Sequence, residues 1–228
     1  MSFSRINIAT FIALLFHVSG WIGIAFTPYR EWFIANTPLN ICLMTALLIW
    51  CQPVKNTRFF LFLLICFVTG IGVEMIGINT GRLFGNYRYG NILGKQLNGV
   101  PWLIGLNWFL IIFCAGSAMT RFQQWFIDRF KGEQVVSYRL QFFSFIIDSA
   151  LLATFFDWIM EPVAMNLGFW QWNNGTVPLY NYVCWFLISM VLLAVFRRLS
   201  FEKVNHLAVH LFIIQLLFFL ALRTQLNI

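Results

Sequence analysis

Seven stretches of this sequence stay apolar for close to the roughly 20 residues that an α-helix needs to cross a hydrocarbon core about 30 Å thick. They run over Ile6–Phe26, Trp32–Trp50, Phe59–Asn79, Val100–Ala118, Leu140–Met160, Leu179–Phe196 and Val204–Leu222. A chain that repeats such a stretch this often is expected to fold as an all-α, polytopic transmembrane bundle of about seven spans. Inside lipid a lone helix satisfies its own backbone groups, whereas a lone strand does not. The second stretch is the least regular: Pro38, Asn36 and Asn40 leave only Leu39 to Trp50 cleanly apolar, so Trp32–Ala35 reads either as part of a span or as an interfacial lead-in to it, and six spans remain an alternative. The first stretch has no A-x-A cleavage site and carries His17 and two glycines, which reads as a retained helix and not a secretory signal. Residues 1–228 are expected to form a single integral membrane domain with no soluble domain beside it.

The composition agrees. Apolar residues make up 60% of the chain and charged residues 10%, against about 25% charge in soluble domains, and the 27 phenylalanines exceed what one soluble core of this size can bury. The net charge of +7 comes from Lys and Arg scattered between apolar runs, without the contiguous basic face that nucleic acid requires. Five cysteines lie in or beside apolar runs with no C-x-x-C and no His pair, so neither a disulfide framework nor a metal site is indicated. In a seven-span arrangement ten of the fifteen Lys and Arg fall on the side of the amino terminus and five on the other. By the positive-inside rule the amino terminus is cytoplasmic, in a cell inner (plasma) membrane. Between the fourth and fifth spans, Arg121 to Lys131 interleaves aromatic and basic residues, as expected of a short amphipathic helix lying on the inner leaflet.

The unusual residues gather on the opposite side. At about 1.5 Å of rise per residue, His17 lies about 13 Å, Glu74 about 8 Å, Asn107 about 10 Å and Asp157 about 5 Å from the outer ends of their helices. Four helices therefore bring polar groups to similar depth, where an ionisable side chain is costly and normally faces a bundle interior or wet cavity. Gly70, Gly77 and Gly81 share a helix face with Glu74 and let a neighbour approach it. Asp157 and Glu161 are four apart and share a face just at the end of the fifth span. Asp148, nine residues from Asp157, lies on the opposite face. Glu74 with Asp157 or Glu161 can supply an acid beside a base. Interhelical hydrogen bonding is the plainer reading of His17 and Glu74, and an exposed helix end that of Glu161.

Two outer connections are long and aromatic. Gly81–Gly99 carries Tyr87 and Tyr89 in strand-like alternation, and 162–178 contains Trp170 and Trp172 with no Lys or Arg. An aromatic belt at headgroup level accounts for some of these rings, and a lid over an apolar ligand accounts for the glycine turns as well.

These residues fall into ordered motifs. They are Phe16-His17-x-x-Gly20, then Glu74 with Thr80-Gly-x-x-Phe-Gly-x-Tyr-x-Tyr-Gly90, and Leu93-Gly followed by Gly99-Val-Pro-Trp-x-Ile-Gly-x-Asn-Trp108. Asp157-x-x-x-Glu-Pro162 comes next, with Trp170-x-Trp172, Pro178 and Asn181. Over about residues 16–185 the pattern resembles the bacterial and archaeal carotenoid biosynthesis membrane family, which includes carotenoid 1,2-hydratases and bisanhydrobacterioruberin hydratases. The resemblance implies a cofactor-independent, metal-free addition of water to the terminal (1,2) double bond of an acyclic carotenoid end. Lycopene, γ-carotene or a longer acyclic-ended relative is then the partner, with membrane lipid and without nucleic acid.

That chemistry needs an acid for one alkene carbon, shielding for the tertiary cation and a base for the water. Glu74 is the general-acid candidate and Asp157 the water-activating one, with Glu161 as a further carboxyl and His17 and Asn107 orienting them. The residues expected around the substrate are Trp21, Asn79, Arg82, Phe84, Tyr87, Tyr89, Trp102, Trp108, Trp170, Trp172, Asn181 and Trp185, of which Tyr87, Tyr89, Trp102, Trp108, Trp170 and Trp172 can shield a cation with their π faces. A tunnel opening on the outer side is expected to lead to them. A lycopene cyclase-like enzyme, which traps the cation with an internal alkene, and a carotenoid-binding protein without chemistry are the competing readings. A retinal protein is disfavoured because Val204–Leu222 holds no Lys, and a transporter because no inverted repeat is evident.

Overall fold

A computed structural model describes residues 4–130 and 137–228. Its helices are α1 (Arg5–Phe26), α2 (Arg30–Ala35), α3 (Thr37–Cys51), α4 (Thr57–Thr80), α5 (Leu103–Arg129), α6 (Tyr138–Asn166), α7 (Leu179–Arg198) and α8 (His206–Gln225). Four short strands lie between them: β1 (Tyr87–Tyr89), β2 (Gln96–Leu97), β3 (Val100–Pro101) and β4 (Trp170–Trp172). The protein is a polytopic helix bundle. Six of its helices are long and apolar enough to cross a membrane.

The irregular second stretch breaks at Asn36 into α2 and the 15-residue α3, about 22 Å long. This short helix still traverses the bundle. At one end the Cys51 thiol lies against the Arg5 carbonyl, while the Gln52 and Asn56 amides donate to the Glu202 and Ser200 carbonyls. That end gathers the starts of α1, α4 and α8 with the ends of α3 and α7. At the other, Arg30 donates to Asn166 Oδ1 at 2.8 Å and the Tyr180 hydroxyl donates to the Arg82 carbonyl at 2.8 Å. Ile228 lies beside Asn166 and Gly175 there. The chain's two ends thus sit at opposite ends of the bundle, which takes an odd number of crossings. Seven results, with α3 as the short one.

Two sequence expectations change. Arg121–Arg129 forms no separate surface helix but continues α5, whose 27 residues reach about 40 Å. No Gly or Pro interrupts the chain between Ala118 and Arg129, so nothing stops the helix there. Lys131, the last residue of that segment, lies outside the described residues. Helix α6 runs through Pro162 to Asn166, so Glu161 stands within it and not past its end. Pro162 lacks only one backbone donor, and that loss does not stop the helix in a protein-lined membrane interior.

Helix α5 is the axis of the bundle, with 78% of its apolar window buried. Gly105 and Gly116 leave room on it for Phe67 of α4 and Phe196 of α7. At the end opposite the start of α1 the two long loops pair with each other: β1 runs antiparallel to β4, with Tyr87 opposite Trp172 and Tyr89 opposite Trp170. Gly90 sits so close to the Gly168 carbonyl that a Cβ there would collide with it, and its N–H donates to the Phe169 carbonyl at 2.8 Å. Gly81, at φ 64°, ends α4 in the left-handed conformation that releases the chain into this lid.

Candidate active site

Beneath the β1–β4 lid three carboxyl groups face one chamber: Glu74 from α4, and Asp157 and Glu161 from one face of α6. All three are buried, Asp157 to 1% exposure. Such groups persist in an apolar interior only when neighbours hydrogen-bond them. Here the neighbours are aromatic. Tyr87 donates to Glu74 Oε2, as does Tyr89 at 2.8 Å, and the Trp108 indole donates to Oε1 at 3.1 Å. Trp170 and Trp172 both donate to Glu161 Oε2, at 2.8 and 2.9 Å. Asn181 of α7 donates to Asp157 Oδ2 at 2.8 Å. Asp157 Oδ1 is buried without a hydrogen-bond partner among the described residues.

Local sequence explains how these donors get so close. Gly70 and Gly77 flank Glu74 by one turn on each side of the same helix face. A Cβ at Gly70 would stand 2.6 Å from Trp108 Cγ, and one at Gly77 3.1 Å from the Tyr87 hydroxyl. The glycines are notches that seat two of the three donors to Glu74. Trp108 is held from its other side by Trp185, stacked at 3.8 Å between centroids and 3° between planes. Burial, and then the Glu74 carboxyl, push the Tyr87 and Tyr89 phenols well above their ordinary pKa range, so both stay protonated and remain donors. Among the described residues that line the chamber, none is a Lys, Arg or His.

The space is about 20 Å³, room for one water among three carboxyl groups. Phe84, Tyr87, Tyr89, Trp108, Trp170, Trp172, Asn181 and Trp185 line it together with Asn107. His17 does not. It lines a neighbouring cavity of about 90 Å³ that shares Asn107, Ile104, Met160 and Trp170 with the chamber, and its Nδ1 lies 2.8 Å from the Ala13 carbonyl. Trp21 packs on Phe26 with its indole nitrogen unpartnered. Asn79 ties the Met75 carbonyl at 2.8 Å, Arg82 is exposed, and Trp102 is 42% exposed at the start of α5. None of these four lines the chamber. Asp148 is also outside it, on the far face of α6.

Sequence reasoning missed Ile104 and Met160, which are apolar and carry no signal, and Gln215 of α8, which lines the cavity beside His17. Gln215 was detectable, as the lone polar residue inside an otherwise apolar run.

Comparison with known proteins places this geometry in context. Residues 35–228 match the carotenoid biosynthesis protein family model. The match takes in α8, beyond the residues that suggested the resemblance, and leaves α1 with His17 outside. Among curated proteins, the bisanhydrobacterioruberin hydratase of Haloarcula japonica is 25% identical over 177 residues. That alignment covers 76% of this chain and 55% of the relative, so the chain spans little more than half of that protein's length. No solved structure matches. The chain belongs to the carotenoid biosynthesis protein family.

Proposed function

We propose that this member of the family adds water to the terminal double bond of an acyclic carotenoid end. The observation that carries the reading is the unpartnered Asp157 Oδ1, facing a one-water chamber with two other carboxyls and aromatic walls. An apolar binding site has no need of three carboxyls, whereas alkene hydration needs a proton donor, a proton acceptor and one water.

The hydrogen bonds suggest a division of roles that differs from the assignment made on depth alone. Both oxygens of Glu74 already accept hydrogen bonds from Tyr87, Tyr89 and Trp108, which suits a carboxylate. Asp157 keeps one oxygen free beside Glu161, and two adjacent carboxyls in an apolar site share a proton more readily than they both ionise. In this scheme Asp157 Oδ1–H protonates the alkene carbon that leaves a tertiary cation, and the faces of Tyr87, Trp172 and Trp108 shield it. The chamber water then attacks the cation and gives up its proton toward Glu74. Return of that proton to Asp157 closes the cycle, so the net change is alkene plus water to tertiary alcohol.

The same chamber starts a cyclase if an internal alkene reaches the cation before water does. Expression in a lycopene-producing bacterium separates the outcomes by mass spectrometry of the pigments. A gain of one water supports hydration, an isomer of unchanged mass supports cyclisation, and unaltered lycopene defeats both. We further place the basic end of the bundle in the cytoplasm, because it carries the excess of Lys and Arg. External labelling of a cysteine introduced at position 58 in intact cells would reverse that orientation.

A further inference from the structure

The carboxyl chamber is too small for a polyene, and what adjoins it leads sideways. Its neighbour is the cavity of about 90 Å³ lined by His17, Asn40, Asn107, Gln215 and Phe218. That cavity in turn shares Ile24, Thr37, Asn40 and Phe218 with a third space of about 380 Å³ between α1, α2, α3 and α8. The walls of this outermost space include Leu15, Trp32 and Leu39, which are 52%, 61% and 60% exposed on the bundle's flank. A flank of a membrane bundle faces lipid acyl chains. The three spaces widen in order from the carboxyls toward that flank, while the β1–β4 lid covers the chamber from above.

We infer that a linear, apolar polyene end reaches the carboxyls laterally from the bilayer, through a portal between α1, α3 and α8 that Gly20 and Phe218 keep open. This differs from the expectation of a tunnel opening on the outer side. A hydrocarbon chain dissolved in lipid gains nothing by passing through the aqueous face, and a lateral passage spares it that transfer.

Gly20 is the position that tests it. A Cβ there would meet Phe218 Cε2 at 3.5 Å, an ordinary contact, so Ala fits and a larger side chain projects into the passage. The occupant's identity rests on the proposed function, but the readout does not require turnover: lycopene retained by the purified protein after incubation with lycopene-loaded vesicles. Gly20→Ala is expected to retain lycopene like the wild type and Gly20→Trp at least tenfold less. Adding Phe218→Ala to Gly20→Trp should restore retention by returning the lost space. A second arm avoids folding altogether. Ser19 lines the portal, so Ser19→Cys labelled after purification with a bulky apolar maleimide should lose retention, while the wild type given the same reagent, with its own Cys42, keeps it. Undiminished lycopene retention by Gly20→Trp, or by the labelled Ser19→Cys protein when Gly20→Trp does not fold, overturns the portal. A wild type that retains lycopene through this portal but never hydrates it leaves the portal standing and defeats the hydration reading instead.

Discussion

Both ends of the bundle are crowded with aromatic rings, and they use them for opposite purposes. At the basic end the buried rings are phenylalanines: Phe59, Phe62, Phe113, Phe145 and Phe196 are fully buried and meet mostly edge to face, as in the Phe62–Phe196 pair at 5.3 Å and 73°. At the carboxyl end they are Tyr and Trp, and five of them donate hydrogen bonds to Glu74 or Glu161. A phenyl ring asks only for contact. A buried indole or phenol also needs an acceptor, and a buried carboxyl needs donors, so the two can be stable in an apolar interior only together. The count of aromatic residues therefore says little about this molecule, while their kind marks which end does chemistry.

The widest separation between the ends should appear on removing one carboxyl. Asp157→Asn and Glu74→Gln keep size and hydrogen-bonding capacity but cannot carry a proton through the cycle. Each should lower the rate of water addition by about 10²–10⁴-fold while the protein stays folded and retains pigment. Pigment analysis and lycopene retention measure the two separately. If Glu74→Gln hydrates normally, Glu74 is only the anchor of the lid. Phe113→Ala should do the reverse. It removes a ring in contact with Phe59, Phe196 and Phe201, which should cost about 3–5 kcal/mol of stability and leave the rate per folded molecule nearly unchanged. A large fall in the rate of the folded fraction would show that the two ends are coupled.

Gly70→Ala lies between these extremes, because it perturbs packing at the end that does chemistry. The added methyl meets Trp108 at 2.6 Å, with Trp185 stacked behind it, so the indole must tilt from Glu74. A loss of about 1–3 kcal/mol from overpacking is expected. A fall in rate of about 10- to 150-fold should accompany it, since losing one hydrogen bond to a charged group is worth about 1.5–3 kcal/mol. Unchanged kinetics would mean that Trp108 merely fills space.

Much of this contrast was legible in the sequence, for a physical reason. Polar residues in apolar runs are costly, so Glu74 and Asp157 stood out, and helical rise alone placed them at matching depth. The aromatic loops were visible too. What stayed hidden was their pairing: Tyr87 meets Trp172 from 85 residues away, and no local pattern encodes that register. Patterns that depend on an interruption also misled. Pro162 suggests a stop that the surrounding protein tolerates, and the basic stretch after Ala118 suggests a new helix although nothing breaks the old one. His17 was rightly seen as buried and polar, but depth fixes only one coordinate, and the other two put it one cavity away from the carboxyls.

The smallest expected effect concerns a cation packed among the rings of the phenylalanine end. Lys203, in the loop between α7 and α8, places its ammonium 3.3 Å from the centre of the Phe201 ring and donates to the Leu199 carbonyl. Burial pushes its pKa down to about 8, with Arg197 adding to the shift and Glu202 opposing it. In the unfolded chain the same amine titrates near 10.4. Between those values the folded protein holds fewer protons than the unfolded one, so stability rises with pH across that window and is flat below it. The amine is only half-buried, which keeps the gain small. Lys203→Met retains the stem that packs on Phe201 and removes the charge. Its thermal midpoint in detergent should therefore match or exceed that of the wild type at pH 7, and it should lack the wild type's rise between pH 8 and 10. A wild-type midpoint that instead falls across that window would mean that the two ring faces favour the ammonium more than burial opposes it. The phenylalanine end would then bind its cation as actively as the other end binds its carboxyls.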